Sequence, residues 1–237
     1  MRRFTASDFL TLWERGAGLH AIDRALLILC SAMPEADGAE MVRWPLGARD
    51  RRLLRVRQEN FGDCLDAYAD CPACHERLEF SLSCAALLAA THGKEATLKS
   101  VDIDGAYFEL RCPDSADAAA VAAGSSVEAG VKIMLARCVR VTEDGALTPA
   151  RRVAIAAELA ALDPAAEILL DLSCAACGHA WQTVFDIAHF LWSEILARAR
   201  RLLQEVDALA RAYHWNEAEI LGMSEARRGL YLEMALS

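Results

Sequence analysis

Apolar residues recur along this chain in two registers, one helical and one alternating, and the changes of register mark five stretches. Residues 1–70 follow the helical register. SDFLTLWER sets a candidate cap, Ser7, ahead of apolar residues, and the glycines at 16 and 18 end the run. In LHAIDRALLILCSAMPE, Ile22, Leu26, Leu29 and Met33 follow at spacings of four, three and four, an amphipathic helix that Pro34 stops. Beyond the link PEADGAE, the segment PLGARDRRLLRVRQENFG reads as a third helix ending at Gly62, and a short helical stretch is expected to carry the chain to Cys71.

Residues 71–112 alternate. RLEFSLS reads as a strand, and TLKSVDIDGAYFELRC as two strands joined at Asp104-Gly105, a strong hairpin signal. An inserted helical region occupies 113–163. There Val127, Val131, Met134, Leu135 and Cys138 fall on one stripe after Ser126, and TPARRVAIAAELAALDP opens with Thr148 as cap and Pro149 at the first helical position. Residues 164–187 return to strands, with AEILLDLS and its partner WQTVFDI. The last stretch, 188–237, continues a single seam of Ile187, Leu191, Ile195, Ala199, Leu202, Val206, Leu209 and Tyr213. Such a helix spans about 40 Å, longer than a small domain about 30 Å across can cover, so part of it is expected to pack on the N-terminal helices or on a partner. Asn216 caps a short helix beyond it and Ser224 a last one.

Composition narrows the class. With 237 residues and 54% hydrophobic content the chain can bury a core without disulfide staples. No apolar run is long enough to span a bilayer, and Asp8 and Glu14 sit where a signal peptide is apolar, so a cytoplasmic protein is expected, with no membrane partner. Nine cysteines, an odd count, do not suit a disulfide framework there. The net charge of −9 opposes general affinity for nucleic acid or anionic lipid.

Two Cys-x-x-C pairs carry the candidate chemistry. CPACHERLEF begins at Cys71 and CAACGHAWQTVF at Cys174, each pair running into a strand. Structural zinc takes four ligands in a tetrahedron, commonly two such knuckles. Cys71, Cys74, Cys174 and Cys177 meet that requirement as one structural Zn2+ site, a zinc ribbon split by the 99 residues between Cys74 and Cys174. Two separate redox pairs are the alternative, although neither pair opens a helix after a βαβ pattern. His75 and His179 follow the knuckles and could replace a cysteine, or face solvent. Cys30, Cys64, Cys84, Cys112 and Cys138 read as small core residues. His20, His92, His189 and His214 have no triad or metal spacing, and no catalytic residue is assigned. The predicted fold class is therefore α+β: mostly helical, with a small split antiparallel sheet of zinc-ribbon type and a long C-terminal helix.

Two features could serve nucleic acid. RDRRLLRVR puts Arg51, Arg52 and Arg55 on one helical face, and HWNEAEILGMSEARRGLYLEM has helix-turn-helix length. Residues 198–237 carry as many acids as arginines, so a zinc-ribbon nucleic-acid-binding regulator is only the alternative reading.

In order, LWERG with DRALLIL, PLGARDRRLLRVRQENFG, CPAC with LEFSL, CAACGHAWQTVFDIAHFLWSEI and LLQEVDALARAYHWNEAEILGMSEARRGLYLEM make a pattern that covers most of the chain. It resembles the baseplate hub assembly proteins of T-even-type phages and their relatives in contractile injection systems, most of all around Tyr213, Trp215 and Arg227-Arg228. The resemblance implies a non-enzymatic role in building, or sitting in, a contractile-tail baseplate, with hub or spike proteins as partners. It matches the zinc-ribbon-like cysteines at 71, 74, 174 and 177, and departs at His75, where glycine is commoner. Tyr213, Trp215 and Tyr231 are either interface anchors or packing for the last helices.

Overall fold

The first helix, α1 (Ala6–Gly16), is capped by Thr5, two residues before the expected Ser7. Asp8 decides the position: its carboxylate accepts the Thr5 N–H at 2.8 Å, closing a capping box that leaves Ser7 inside the first turn. Arg2 holds the same carboxylate with two bonds of 2.7 and 2.8 Å. Helix α2 (Ala21–Ala32) starts at His20, whose Nδ1 accepts the Ile22 N–H. Its buried side runs through Ala25, Leu27, Ile28, Leu29 and Ala32. The expected stripe is rotated, for only its Leu29 is buried, while Ile22, Leu26 and Met33 are half-buried. This computed structural model describes residues 1–91, 97–141 and 146–235. It comprises two units: Met1–Pro34 with Ala188–Ser237, and Glu35–Ile187 between them.

The inner unit begins with α3 (Gly38–Val42) and α4 (Leu46–Phe61). Pro45 opens α4 and offers no side-chain cap. Instead Asp163, 116 residues further on, accepts the Gly47 N–H at 2.8 Å. The stretch leading to Cys71 is a strand where a helix was expected. Strand β1 (Cys64–Asp70) pairs antiparallel with β2 (Arg77–Ser83), in register from Cys64 opposite Ser83 to Asp70 opposite Arg77. Leu65, Ala67 and Ala69 turn inward between exposed Cys64, Asp66, Tyr68 and Asp70, a period of two that alanine's helical preference disguises.

After α5 (Cys84–Ala90), β3 (Leu98–Ile103) and β4 (Ala106–Arg111) form the expected hairpin. Asp104 and Gly105 both have positive φ, 53° and 73°, as a tight two-residue hairpin turn needs. Helices α6 (Ser115–Ala122) and α7 (Val127–Cys138) precede β5 (Val139–Val141), which joins β4 as the third strand of this sheet. Helix α8 (Pro149–Leu162) is capped by Thr148. Ala106, Phe108 and Leu110 of β4 meet Leu135 and Ile155 in the core. In α7 the inward face is Gly130, Leu135 and Cys138, whereas Val127 and Val131 of the expected stripe are exposed. The shift follows from α6, whose Val121 packs over Gly130. Fully buried Asp117 ties β4, α6 and α7 together. It accepts two bonds from Arg111, at 2.8 and 3.0 Å, and one from Arg137 at 2.6 Å. Burial alone would raise this carboxyl, but the arginines and the Asp114 N–H hold it well below the usual range.

Strands β6 (Ile168–Ser173) and β7 (Ala180–Phe185) close the inner unit as another hairpin. Among the described residues the two Cys-x-x-C hairpins are separate two-stranded sheets, so the split ribbon is two ribbons of backbone rather than two halves of one sheet.

Helix α9 (Ile187–Tyr213) is the long seam of 27 residues. Ile187, Leu191, Ile195, Ala199, Leu202 and Leu209 are almost wholly buried, and Val206 and Tyr213 half-buried. Within the outer unit the Trp192 ring fills the space beside Gly16, with Arg24 stacked 4.7 Å from its centroid. The long helix thus packs on the N-terminal helices, one of the two outcomes its length required. Helix α10 (Glu217–Leu221) takes its cap from Asn216, and α11 (Glu225–Ala235) from Ser224. Arg228, 2% exposed, anchors α11 by bonding Glu205 of α9 at 3.0 Å and the Met223 carbonyl at 2.6 Å.

Gly16→Ala is expected to cost about 1–3 kcal/mol, because its Cβ would lie 2.6 Å from Trp192 Cζ3 in a filled space. Gly18→Ala, with open space around it, should stay within about 0.5 kcal/mol. Urea unfolding of the two variants checks the difference.

Candidate metal centre

Each Cys-x-x-C forms the tip of a hairpin, and the two tips have the same backbone construction. Cys71 donates its N–H to the Glu76 carbonyl and accepts from the His75 N–H, both at 2.9 Å. Cys174 makes the same pair with His179 and Gly178, at 2.9 and 2.8 Å. The residue after the second cysteine must turn left-handed: Gly178 has φ 74° and His75 has φ 61°. His75 therefore adopts the glycine conformation despite its side chain, which settles how the turn accommodates that departure.

The turns bring all four sulfurs together. Their ligand atoms lie within 4.8 Å of one another, with Cys71 to Cys177 at 3.7 Å and Cys74 to Cys174 at 3.6 Å. A disulfide would need about 2.05 Å. A tetrahedron with metal–sulfur bonds of about 2.3 Å has edges of about 3.8 Å, close to both cross-hairpin separations. The close pairs join one hairpin to the other, so the arrangement is a single four-sulfur site rather than two redox pairs. Cys71 and Cys174 are buried, and Cys74 and Cys177 are exposed. A cation held here would sit at the surface with its coordination filled by the four thiolates.

The electrostatics favour a cation. Burial raises the Cys71 thiol, but the Cys74 and Ala73 N–H groups and the neighbouring thiols bring it down to about 7. The Glu76 N–H acts to lower Cys74, yet Cys177, burial and the other two thiols push it up to about 12. Cys177 is raised as well: the His179 N–H and the Cys74 thiol act to lower it, but burial and the Cys71 and Cys174 thiols outweigh them. Without a cation the cluster yields one thiolate readily and resists the next, whereas a bound cation removes that repulsion.

Neither histidine is in the four-sulfur group; His75 is exposed, and His179 stacks on Trp181 with centroids 6.0 Å apart. Cys84, Cys112 and Cys138 are buried as expected, but Cys30 and Cys64 are exposed. Burial pushes Cys112 up to about 11 and Cys138 to about 12, which makes both inert near neutrality. His20 is a helix cap, His189 and His214 are exposed, and His92 lies outside the described residues. Of the three arginines expected on one face, Arg52 stacks 4.2 Å from the Trp44 centroid, Arg51 is half-buried and Arg55 is exposed. In the same helix Arg57 is buried and bonds the Gly62 carbonyl, and in α11 Arg228 is paired with Glu205. Tyr213, Trp215 and Tyr231 form one cluster, with centroids 4.6, 4.8 and 5.6 Å apart, joining the end of α9 to α11. Cys-x-x-C turns imply backbone N–H groups around their sulfurs; the structure adds which residues supply them, Ala73, Cys74 and Glu76 at one tip and His179 at the other. Among the described residues, no helix is long and apolar enough to cross a membrane.

No family profile, no curated protein and no solved structure matches this chain.

Gly178→Ala should destabilise the second knuckle by about 1 kcal/mol, and His75→Gly should stabilise the first by up to about that amount. Thermal melts of the metal-loaded variants test both signs. A bound cation lowers the folded-state thiol pKa values below the unfolded value of about 8.5, so its stabilisation is present at neutral pH and lost on acidification. Metal content after dialysis should accordingly fall with pH.

Proposed function

We propose that this chain is a non-enzymatic structural or assembly protein of a contractile, phage-like tail baseplate, its inner unit fixed by one structural Zn2+ at Cys71, Cys74, Cys174 and Cys177. The observation that carries the structural part is the four-sulfur cluster, all within 4.8 Å, whose two cross-hairpin separations of 3.6 and 3.7 Å are close to tetrahedral edges. Four thiolates fill the shell of a tetrahedral ion, leaving no position for water or substrate. Zinc is the ion of choice because it binds thiolates in this geometry and brings no redox chemistry, whereas iron is the competitor such a site must exclude. The baseplate role rests on the sequence pattern that resembles hub assembly proteins and runs through both knuckles and α9 to α11. Its partners are other baseplate, hub or spike proteins, met in the cytoplasm as the particle is built.

Elemental analysis of the purified chain should return one zinc per molecule; iron, or two metals, would refute the zinc assignment. Deleting the gene should leave the strain without assembled contractile tails in electron micrographs, and a tagged chain should recover hub or spike proteins. Normal tails in the deletion strain would overturn the baseplate role while leaving the metal site untouched.

A further inference from the structure

Among the described residues, β2 pairs only with β1 and β6 only with β7, so each hairpin keeps a free edge. The bonds from the Cys84 N–H to the Asp63 carbonyl and from the Cys71 N–H to the Glu76 carbonyl fix the phase of the first ladder. Even-numbered residues of β2 bond inward, and the backbone groups of Arg77, Glu79 and Ser81 point away from β1. The Cys174 to His179 bond fixes the second ladder likewise, leaving Leu169, Asp171 and Ser173 outward on β6. The two free edges wall one groove of about 680 Å³, lined by residues 76–80 on one side and 171–173 on the other. Consecutive strand residues face opposite sides of a sheet, so a groove lined by every residue in turn runs along the edges, not over a face. Its volume lies in the range of about 300–1,000 Å³ typical of ligand clefts.

We propose that this groove binds an extended, basic segment of a partner protein, which adds as a strand to the β2 edge. Unpaired outward N–H and C=O groups give the backbone bonds, the mode by which extended peptides join an open sheet. The side chains select the segment. Leu78 and Phe80 are half-buried on one face of β2 and Glu79 is exposed on the other, so the segment alternates apolar residues with cations. Glu76, Glu79 and Asp171 make the walls acidic. Among the described residues that line it, the one cation is Arg77, held by Asp70 at 3.0 Å and stacked 4.4 Å from the Tyr68 centroid. A second copy of this chain is disfavoured, because both edges are acidic and the chain carries a net charge of −9. The inference stands on the groove alone and holds whatever the partner's identity.

Labelled Lys-Val-Lys-Val-Lys-Val and Glu-Val-Glu-Val-Glu-Val hexapeptides test it by fluorescence anisotropy on the full metal-loaded chain. The basic peptide should bind, more weakly as salt rises, and should slow hydrogen exchange at the Glu79 and Ser81 amides. Glu79→Pro removes an outward N–H that bonds no strand of the hairpin, and should weaken binding up to about tenfold without loss of metal. Glu79→Lys, which keeps that N–H and reverses the charge, should also weaken it. No binding of the basic peptide, equal binding of the acidic one, or affinity indifferent to both substitutions would overturn the proposal. A dimer seen by light scattering and abolished by Glu79→Lys would overturn it in favour of a second copy.

Discussion

The inner unit depends on one convergence: four sulfurs from two hairpin tips, with 99 residues between the pairs, must arrive within a few ångströms of each other. Neither hairpin has much else to hold it. Leu65 is the only buried residue of β1, Ile168 the only one of β6, and β2 and β7 have none. A lone two-stranded hairpin is marginal in water, and a shared ion closes both at once. Loop-closure cost grows only with the logarithm of length, so a large insertion between the knuckles is thermodynamically cheap provided it folds by itself. The three-stranded sheet and its helices bring a core of their own, with Phe108, Leu110 and Ile155 fully buried.

In each unit, buried ionic groups act as fasteners between elements distant in sequence. Asp163 completes the start of α4, Asp117 gathers Arg111 and Arg137, and Arg228 pins α11 to Glu205. Such groups add little net stability over well-packed apolar residues, but removing one partner strands a buried charge. Their effect is to penalise every arrangement except one, which matters in a chain whose helices are rich in interchangeable alanine and leucine.

The sequence is most legible where one strong local rule acts alone. The α9 seam appears residue by residue, the Asp104-Gly105 turn and the Thr148 and Asn216 caps fall in place, and the repeated Cys-x-x-C spacing identifies the four sulfurs. It misleads where two rules compete. Alanines at 67 and 69 hide the alternation of β1, whose hairpin partner lies across the knuckle and is visible only once the turn is known. Val127 and Val131 continue a helical stripe in sequence, but only the far end of α7 meets the core, and α6, which sets that limit, has no stripe of its own to read. The cap supplied by Asp163 and the packing of Trp192 against Gly16 leave no trace, because nothing near position 47 or 16 records what arrives from far along the chain.

The nesting of one unit within the other also imposes an order in time. The outer unit takes its first 34 residues from the start of the chain and the rest from position 188 onward. A ribosome making roughly 5–20 residues per second needs about 8–30 s to synthesise the intervening segment. Once past the exit tunnel, for most of that interval, α1 and α2 hold Leu27, Ile28 and Leu29 without the helix that completes their unit. The inner unit, complete once Cys177 and the strand beyond it have emerged, can close around its ion first. A nascent chain of this design therefore leaves α1 and α2 open to chaperones and to its own neighbours until the segment from 188 onward emerges and completes their unit.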